Sequence, residues 1–417
     1  MTNNAHDVRP AGSAGYEVRA VFILSIGLGL VGLDRFIIMP LFPVMAKDLG
    51  LTYKDMGLIS ASLALTWGLS AIFMGRLADR IGVKAVLVPA ALAFSGLVAL
   101  SGVAGGLGSL LIIRALMGFA EGAFVPAGIV AAMRVSKPTR VGLNVGLLHM
   151  AMALFGLGIA PIMATQLLKV LPSWHWIFVI AAAPGVLMAY GLKRILRSEP
   201  APADAGRALG PGVSWRSVVR RPAIVANALA MACWLSAVTI KAALLPNYLT
   251  DHLHLPLDQM GFVLSGLGVG GVIGMLTVPA LGDRFGYKRV ALASAVLHLV
   301  ALGLFTFAGP DVVYLFALLL LSSLAGAGAT ALTVGPLTGG AVGRPLAATA
   351  TGIVVGCGEI IGGAVTPVLV GSLAANNGIG VVPVCAFVAV GLGGLVLALG
   401  VREPAGWGYG RRLEAVP

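Results

Sequence analysis

The stretch Gly75-Arg-Leu-Ala-Asp-Arg-Ile-Gly-Val-Lys84 occurs twice in this 417-residue chain, the second time as Pro279-Ala-Leu-Gly-Asp-Arg-Phe-Gly-Tyr-Lys-Arg289. The same offset of 204 residues aligns Met56–Gly57 with Met260–Gly261. A repeat at one fixed spacing indicates two structurally equivalent halves. Because each copy of the stretch separates two apolar runs, it predicts a tight turn between two helices.

The composition is that of a protein embedded in lipid. Hydrophobic residues make up 58% of the chain and charged residues only 11%, whereas soluble domains carry about 25% charged residues. The mean hydropathy is +0.98. The three cysteines lie in apolar runs, so we expect neither a disulfide framework nor a zinc site. We therefore predict an all-α membrane protein. No Ser-His-Asp order, phosphate-binding loop or zinc spacing appears in the sequence, so we expect no enzyme, cofactor or metal.

The apolar runs are long enough to cross a bilayer, for which a helix needs about 20 residues. Reading from one polar break to the next predicts twelve transmembrane helices. The predicted spans are residues 20–46, 55–78, 84–105, 108–133, 141–168, 173–193, 222–249, 258–280, 288–308, 312–336, 345–373 and 379–401.

The polar segments divide these spans into two sets of six. The predicted organisation is a cytoplasmic N-terminal tail at 1–19, a six-helix bundle at 20–196, a cytoplasmic linker at 197–221, a second six-helix bundle at 222–401 and a cytoplasmic tail at 402–417. The first 19 residues lack a short apolar core followed by a cleavage site, which predicts a tail rather than a signal peptide.

The basic residues predict the orientation of the chain. Of the 28 Lys and Arg residues, 22 fall in one set of loops, three in the opposite set and three inside spans. Cytoplasmic loops of membrane proteins carry the excess of basic residues. We therefore expect a multi-pass protein of the cell inner membrane, with both termini cytoplasmic. The net charge of +12 is explained by this topology, and we expect no nucleic-acid partner.

The duplicated turn and the twelve spans resemble the major facilitator superfamily of transporters. The resemblance covers nearly the whole chain, and it implies two bundles around a central site that opens alternately to each side. It also implies that the duplicated turns control the inner gate. The residues that match this gate motif are Gly75, Asp79, Arg80, Gly82, Asp283 and Arg284.

Six ionisable residues lie well inside spans, where each costs about 2.5–3.5 kcal/mol on insertion scales. They are Asp34, Arg35, Arg114, Glu121, Lys241 and Glu359. Three are acidic and three are basic, so they must either pair with one another or face a water-filled cavity. Ion pairs that only fasten helices together remain the alternative to a functional site.

Helix geometry restricts which of these residues can pair. Arg114 and Glu121 are seven residues apart, which puts them on one face but about 10 Å apart along the axis. Each of them therefore needs another partner. Asp34 and Arg35 are adjacent, so their side chains diverge by about 100°. One can approach a neighbouring helix while the other faces a cavity.

The sequences around these charges resemble the anion:cation symporter branch of the superfamily, which includes proton-coupled carriers of sugar acids. The matching stretches are Leu33-Asp34-Arg35 and Arg114-Ala-Leu-Met-Gly-Phe-Ala-Glu121-Gly-Ala-Phe-Val-Pro126. The resemblance implies that Asp34 and Glu121 carry protons, that Arg114 modulates Asp34, and that Arg35 binds the substrate's carboxylate.

The residues themselves support the same roles. A guanidinium stays charged and can bind a carboxylate through two hydrogen bonds, which suits Arg35 for an anion. A carboxyl group in a dry cavity resists ionisation and can exchange protons near neutral pH. In the repeat, Lys241 is equivalent to Arg35, whereas apolar Ile240 is equivalent to Asp34. We therefore expect a cation from each half at the substrate, with proton handling mainly in the first half.

The role of Lys241 stays open at this point. It either binds the substrate, as we expect of Arg35 and Glu359, or pairs with Glu359 in the empty protein, and the sequence does not choose between these two arrangements. We expect a monomeric transporter that imports a small organic anion, a monocarboxylate or a sugar acid, with protons as the coupling ion. A proton-driven exporter of drugs or metabolites and a membrane sensor that does not transport are the alternatives.

Overall fold

The computed structural model describes residues 14–137, 140–197, 218, 220–342 and 347–402. In these ranges the regular elements are helices and no strand occurs. The predicted tails at 1–19 and 402–417 and the predicted linker at 197–221 lie largely outside the described residues.

The long helices of the described chain are numbered in order. They are α1 (Ala14–Phe36, continued as Ile38–Leu49), α2 (Tyr53–Ile81), α3 (Val83–Ser101), α4 (Leu107–Val135), α5 (Leu143–Val170), α6 (Trp174–Ile195), α7 (Pro222–His252), α8 (Leu257–Phe285), α9 (Tyr287–Thr306), α10 (Val312–Val342), α11 (Ala350–Asn377) and α12 (Val381–Gly400).

These helices confirm the predicted twelve-span, all-α membrane fold. Eleven of them are long and apolar enough to cross a membrane, and α2 is a further helix of 29 residues. The first helix begins at Ala14, earlier than the span predicted from residue 20. Its first turn carries the polar Glu17, which a count of apolar residues leaves out although the backbone is already helical.

Local sequence explains where the helices end and turn. Gly82 and Gly286, the equivalent glycines of the duplicated turn, have φ angles of 90° and 95°. This backbone conformation strains any residue with a Cβ. Before α2, Thr52 and Asp55 form a capping box: the Thr52 N–H donates to Asp55 Oδ2 at 2.7 Å and the Asp55 N–H donates to Thr52 Oγ1 at 3.4 Å.

Several helices depart from regular α-geometry in their interiors. In α1 the regular helix is interrupted at Ile37, three residues before Pro40, whose ring clashes with the carbonyl four residues earlier. The stretches Leu154–Ile159 of α5 and Glu359–Val365 of α11 are π-helical. They occupy nearly equivalent positions in the two halves, and such turns are frequent at functional sites.

The two faces of the molecule are named as follows. The terminal face, on the side where α1 begins and α12 ends, carries Gly82 and Gly286, and the distal face on the opposite side carries Gly50 and Gly378. Near the distal face the halves pack closely. A Cβ on Gly57 of α2 would overlap the Pro367 carbonyl of α11. Small residues let membrane helices approach to backbone contact in this way.

Helices α5 and α8 make a second close contact between the halves. A Cβ on Gly268 would overlap the backbone of Gly158. Nearer the distal surface, Lys169 of α5 forms an ion pair with Asp258 of α8 at 3.0 Å.

The Tyr53 hydroxyl also donates a hydrogen bond across the interface, to Asp251 at 2.9 Å. In contrast, a Cβ on Gly146, Gly352 or Gly356, towards the terminal face, would meet no atom within 4 Å. The distal side of the interface is therefore closed.

A larger residue at Gly268 tests this closure. Because the atoms in its way belong to backbone, Gly268→Val should disfavour the distal-closed form by about 1–3 kcal/mol, the usual cost of overpacking. We expect spin labels at the exposed positions Val170 and Phe307, on opposite halves near the distal face, to show an added population at longer distance. The measurement is pulsed electron spin resonance in a background without the native cysteines.

The matched control is Gly352→Val, which has open space around its added side chain. It should leave the distance distribution between the labels unchanged. An unchanged distribution in Gly268→Val would show that the contact does not hold the distal side closed.

Candidate substrate and proton site

An ion pair joins the two halves at the centre of the molecule. Arg35 of α1 donates from Nη2 to Oε2 of Glu359 on α11 at 3.0 Å, and the two side chains are only 10% and 12% exposed. Glu359 is the first residue of the π-helical turn in α11. A Cβ on Gly363, four residues later, would come within 2.8 Å of Glu359 Oε2, so this glycine leaves room for the carboxylate.

Two aromatic rings surround the Arg35 guanidinium. Its Cζ lies 5.6 Å from the centroid of Trp67 and 5.7 Å from that of Phe36. A cation at this distance from a ring is attracted by the ring's quadrupole. The rings also restrict the directions from which an anion can approach Arg35.

A cavity lies beside this ion pair. The volume of this cavity is about 20 Å³, which is room for about one water molecule. Four of its lining residues are polar, and one of these, Ser60, has a buried hydroxyl without a hydrogen-bond partner. The lining residues are Arg35, Phe36, Ile38, Met39, Ile59, Ser60, Leu63, Arg114, Thr239 and Gly363.

Arg114 connects α4 to α1 through the backbone rather than through a carboxylate. Its Nη1 donates to the backbone carbonyl of Asp34 at 3.1 Å, whereas its Nε and Nη2 have no hydrogen-bond partner. As the helix geometry predicts, Arg114 and Glu121 form no hydrogen bond with each other. The Asp34 carboxylate interacts electrostatically with Arg114 and Glu121.

The two acids beside Arg114 are deeply buried. Asp34 is 2% exposed and Glu121 is 0% exposed. Oδ1 of Asp34 and both carboxylate oxygens of Glu121 lack hydrogen-bond partners. Burial of an unpaired carboxylate is strongly unfavourable, and binding of a proton to these oxygens would remove that cost.

The central group is defined here as Asp34, Arg35, Arg114, Glu121 and Glu359. With every member ionised, it carries two positive and three negative charges. Charges separated by a few ångströms interact strongly in a low-dielectric site, so the group as a whole favours the uptake of a cation.

Lys241 lies elsewhere, inside the second half. Its Nζ donates to Ser322 Oγ of α10 at 2.8 Å and is 3.1 Å from His298 Nε2 of α9. These three residues are at most 2% exposed. The side chain does not line the central cavity.

The pairing of Lys241 with Glu359, one of the two arrangements left open by the sequence, is not present. Glu359 is bound to Arg35, and α9 and α10 supply the polar partners of Lys241. Among the described residues no carboxylate forms an ion pair with Lys241. In this conformation Lys241 therefore lies apart from Arg35, and a cation from each half at one substrate stays a prediction.

The gate motif is visible in part. The side chains of Asp79 and Arg80 and the surroundings of Gly75 lie outside the described residues. In the second copy, Asp283 and Arg284 are exposed, and Asp283 Oδ1 accepts a hydrogen bond from the Tyr287 hydroxyl at 2.7 Å.

Sequence reasoning missed several members of this site. Trp67 could have been found, because a tryptophan in the middle of a span departs from the preference of tryptophan for membrane interfaces. His298 could also have been found, because histidine is rare inside a span. Ser60 and Ser322 carry no such signal, since their positions become meaningful only after the helices pack.

A protein-family model, the Major Facilitator Superfamily, matches residues 24–242 and 237–412. The chain belongs to this superfamily. It is therefore a multi-pass membrane protein of a transporter family, and the members of that family move small molecules across a bilayer and are not enzymes.

Two curated relatives differ in what their names say they carry. The probable sulfoacetate transporter SauU of Cupriavidus necator is 25% identical over 273 residues, which is 62% of this chain and 62% of SauU. The quinolone resistance protein NorA of Staphylococcus aureus is 27% identical over 277 residues, or 64% of this chain and 67% of NorA.

Solved structures support the same fold. A bacterial homologue of the human lysosomal transporter Spinster, in an inward-facing and occupied conformation, superimposes with a TM-score of 0.79 at 15% identity over 93% of this chain and 97% of that one. The unoccupied form of this homologue gives a TM-score of 0.78 at 16% identity over 94% and 100% of the two chains.

A double-mutant cycle tests the assignment of partners to Lys241. Lys241→Met and Glu359→Gln should change the free energy of unfolding additively, within about 0.5 kcal/mol, as residues without shared partners do. Lys241→Met and His298→Leu should instead show a coupling energy of about 0.5–3 kcal/mol. The measurement is denaturant unfolding in detergent micelles. A larger coupling of Lys241 to Glu359 than to His298 would contradict the observed arrangement.

Proposed function

We propose that this protein is a secondary active transporter that carries a small organic anion together with protons by alternating access. Arg35 binds the carboxylate of the substrate. Asp34 and Glu121 carry the coupled protons, and Arg114 adjusts the charge on Asp34.

The observation that carries this proposal is the Arg35–Glu359 ion pair. The guanidinium already holds a carboxylate at 3.0 Å, in a nearly buried site at the junction of the two halves. Arginine forms two parallel hydrogen bonds with carboxylates and stays charged at any physiological pH. A substrate carboxylate can therefore bind where the Glu359 carboxylate now lies.

The charge of the central group supports coupling to protons. The fully ionised group already has one negative charge in excess, and an anionic substrate raises this excess to two. Uncompensated charge in a dry site is costly. Protonation of the buried Asp34 and Glu121 would remove this excess without the need for a metal ion.

The cavity wall is mixed in character. Four of its ten lining residues are polar, and the polar atoms among them without a hydrogen-bond partner are the Ser60 hydroxyl and Nε and Nη2 of Arg114. These atoms can bind either the single hydroxyl of a small hydroxy acid or the hydroxyl groups of a sugar acid. The proposal therefore keeps both substrate classes, a monocarboxylate and a sugar acid.

The relatives support two candidate functions. The similarity to a probable sulfoacetate transporter favours an organic anion. The similarity to NorA favours the second candidate, a proton-driven exporter. The anion is favoured by the Arg35 guanidinium itself, which already holds a carboxylate and would repel the positive charge of a cationic drug. A membrane sensor, the remaining alternative, would bind a ligand without moving it.

Topology and gating complete the proposal. The excess of basic residues in the loops of the terminal face supports a cytoplasmic location for this face and for both termini, in the cell inner membrane. The duplicated turns with Asp79 and Asp283 control the gate on this side. One chain contains both halves of the pathway, so a monomer suffices for transport.

Uptake into proteoliposomes tests the anion assignment. The purified protein should accumulate a monocarboxylate such as lactate, or a sugar acid such as gluconate, when an inward proton gradient is imposed. Arg35→Ala should weaken lactate binding by at least about 30-fold, because truncation of one partner of a buried charge pair costs about 2–5 kcal/mol. Arg35→Lys should also weaken binding, because it keeps the charge but loses the planar fork.

The matched control is Arg19→Ala, which removes an exposed arginine at the terminal face and should leave uptake unchanged. Binding of lactate without uptake would favour the sensor. Proton-driven movement of a cationic dye, without any response to carboxylates, would favour the exporter and contradict this proposal.

A neutral substitution at Glu121 separates binding from coupling. Glu121→Gln should leave the affinity for lactate at low pH within about threefold of the wild-type value, because the glutamine has the same charge and nearly the same shape as the protonated Glu121. It should abolish accumulation driven by a proton gradient, since the side chain no longer exchanges a proton. Accumulation at the wild-type level would exclude Glu121 from the coupling pathway.

A further inference from the structure

We propose that Glu359 is a built-in competitor of the substrate at Arg35, and that protonation of Glu359 frees the guanidinium to bind the substrate's carboxylate. This inference rests on the proposed function. It assigns a proton-coupling role to the second half of the molecule, where the sequence predicted little proton handling.

Glu359 and the carboxylate of the substrate would compete for one cation, the guanidinium of Arg35. Glu359 Oε2 accepts from Arg35 Nη2, and the rings of Trp67 and Phe36 lie beside the same guanidinium. An incoming carboxylate that binds this fork therefore meets the Glu359 carboxylate. Two carboxylates at one site do not ionise together without a large rise in energy.

The three carboxyl groups of the central group differ in how much of each side chain is exposed. The Glu359 side chain keeps 12% of its surface exposed, whereas Asp34 and Glu121 are exposed by 2% and 0%. In this conformation Glu359 is thus the acid of the central group that solvent reaches most readily. Glu359 is therefore the acid of this group that is best placed to take up a proton.

Few neighbouring groups can change the protonation of Glu359 through their own charge. On the neighbouring elements, α2 presents Ser60, Ala64 and Trp67, and α7 presents Thr239, none of which changes charge near neutral pH. The charged groups that act on the pair are Arg35 itself and, through Arg35, Glu121.

Beyond these, Asp34 and Arg114 complete the central group and interact with Glu121. Glu121 is therefore the residue from which Glu359 must be distinguished experimentally.

The competition for Arg35 is linked to movement of the two halves. Arg35 lies on α1 and Glu359 on α11, so their bond ties the halves together in the empty protein. A proton taken up by the Glu359 carboxylate breaks this bond, and the substrate's carboxylate replaces it on Arg35. When the substrate leaves, Glu359 returns its proton to water and the ion pair forms again, so protons and charges balance over the cycle.

The test is the pH dependence of lactate binding to the full-length protein in detergent, measured by isothermal titration calorimetry between pH 5.5 and pH 8. Wild-type affinity should fall as the pH rises, because the ionised Glu359 competes more strongly for Arg35. Glu359→Gln, which has nearly the same shape, should bind lactate at least tenfold more tightly than wild type at pH 8. Its affinity should fall less with pH than that of the wild type, and the remaining fall should come from Asp34 and Glu121.

Two further variants separate competition from a structural role. Glu359→Asp retains an ionisable group and should keep a fall in affinity with pH. Glu121→Gln should also keep it, since Glu359 is intact in that variant. In uptake assays, Glu359→Gln should still exchange internal for external lactate but should not accumulate lactate against a gradient.

The outcomes are distinct. Wild-type pH dependence in Glu359→Gln, with lactate binding intact, would overturn the role of Glu359 and leave the proposed function standing. Absence of binding to acetate, lactate and gluconate by the wild-type protein at any pH would instead overturn the proposed function. Loss of the pH dependence in Glu121→Gln rather than in Glu359→Gln would assign the competition to Glu121.

Discussion

A guanidinium in the middle of a membrane-spanning helix needs an anion within reach. Arg35 cannot shed its proton at physiological pH, and an isolated charge at this depth is strongly disfavoured. The anion it has comes from the other half of the molecule, as the carboxylate of Glu359. Because the guanidinium and the carboxylate bound to it come from different halves, the proposed binding site lies where the halves meet.

The distribution of the other charges follows from the same constraint. In the sequence, three acids and three bases inside the spans balance. In the structure Lys241 lies apart, with His298 and Ser322 as partners. The central group is left with three acids and two bases. This imbalance is the physical reason for the proposed coupling of an anion to protons, because an added negative charge is tolerated only if a carboxyl group becomes neutral.

The interface that holds this site combines close backbone contacts at glycines with a few polar bonds between side chains. Glycines let α2 meet α11 and α5 meet α8 at backbone distance near the distal face. The π-helical turns of α5 and α11 lie at nearly equivalent places, and Glu359 begins the second of them. A surface of small residues has few side chains to disengage, so the halves can separate there without disrupting their cores.

The sequence by itself determined the twelve helices, the division into two equivalent halves and the set of six buried charges. These properties depend on local composition and on repeat spacing, both of which can be read directly from the sequence. It also excluded a direct pair between Arg114 and Glu121, because that follows from the pitch of one helix. Only the tertiary structure decided that Glu359 binds Arg35 and that Lys241 faces His298. Partners more than 50 residues apart depend on which faces of different helices pack together, and equivalent positions in a repeat do not ensure equivalent neighbours.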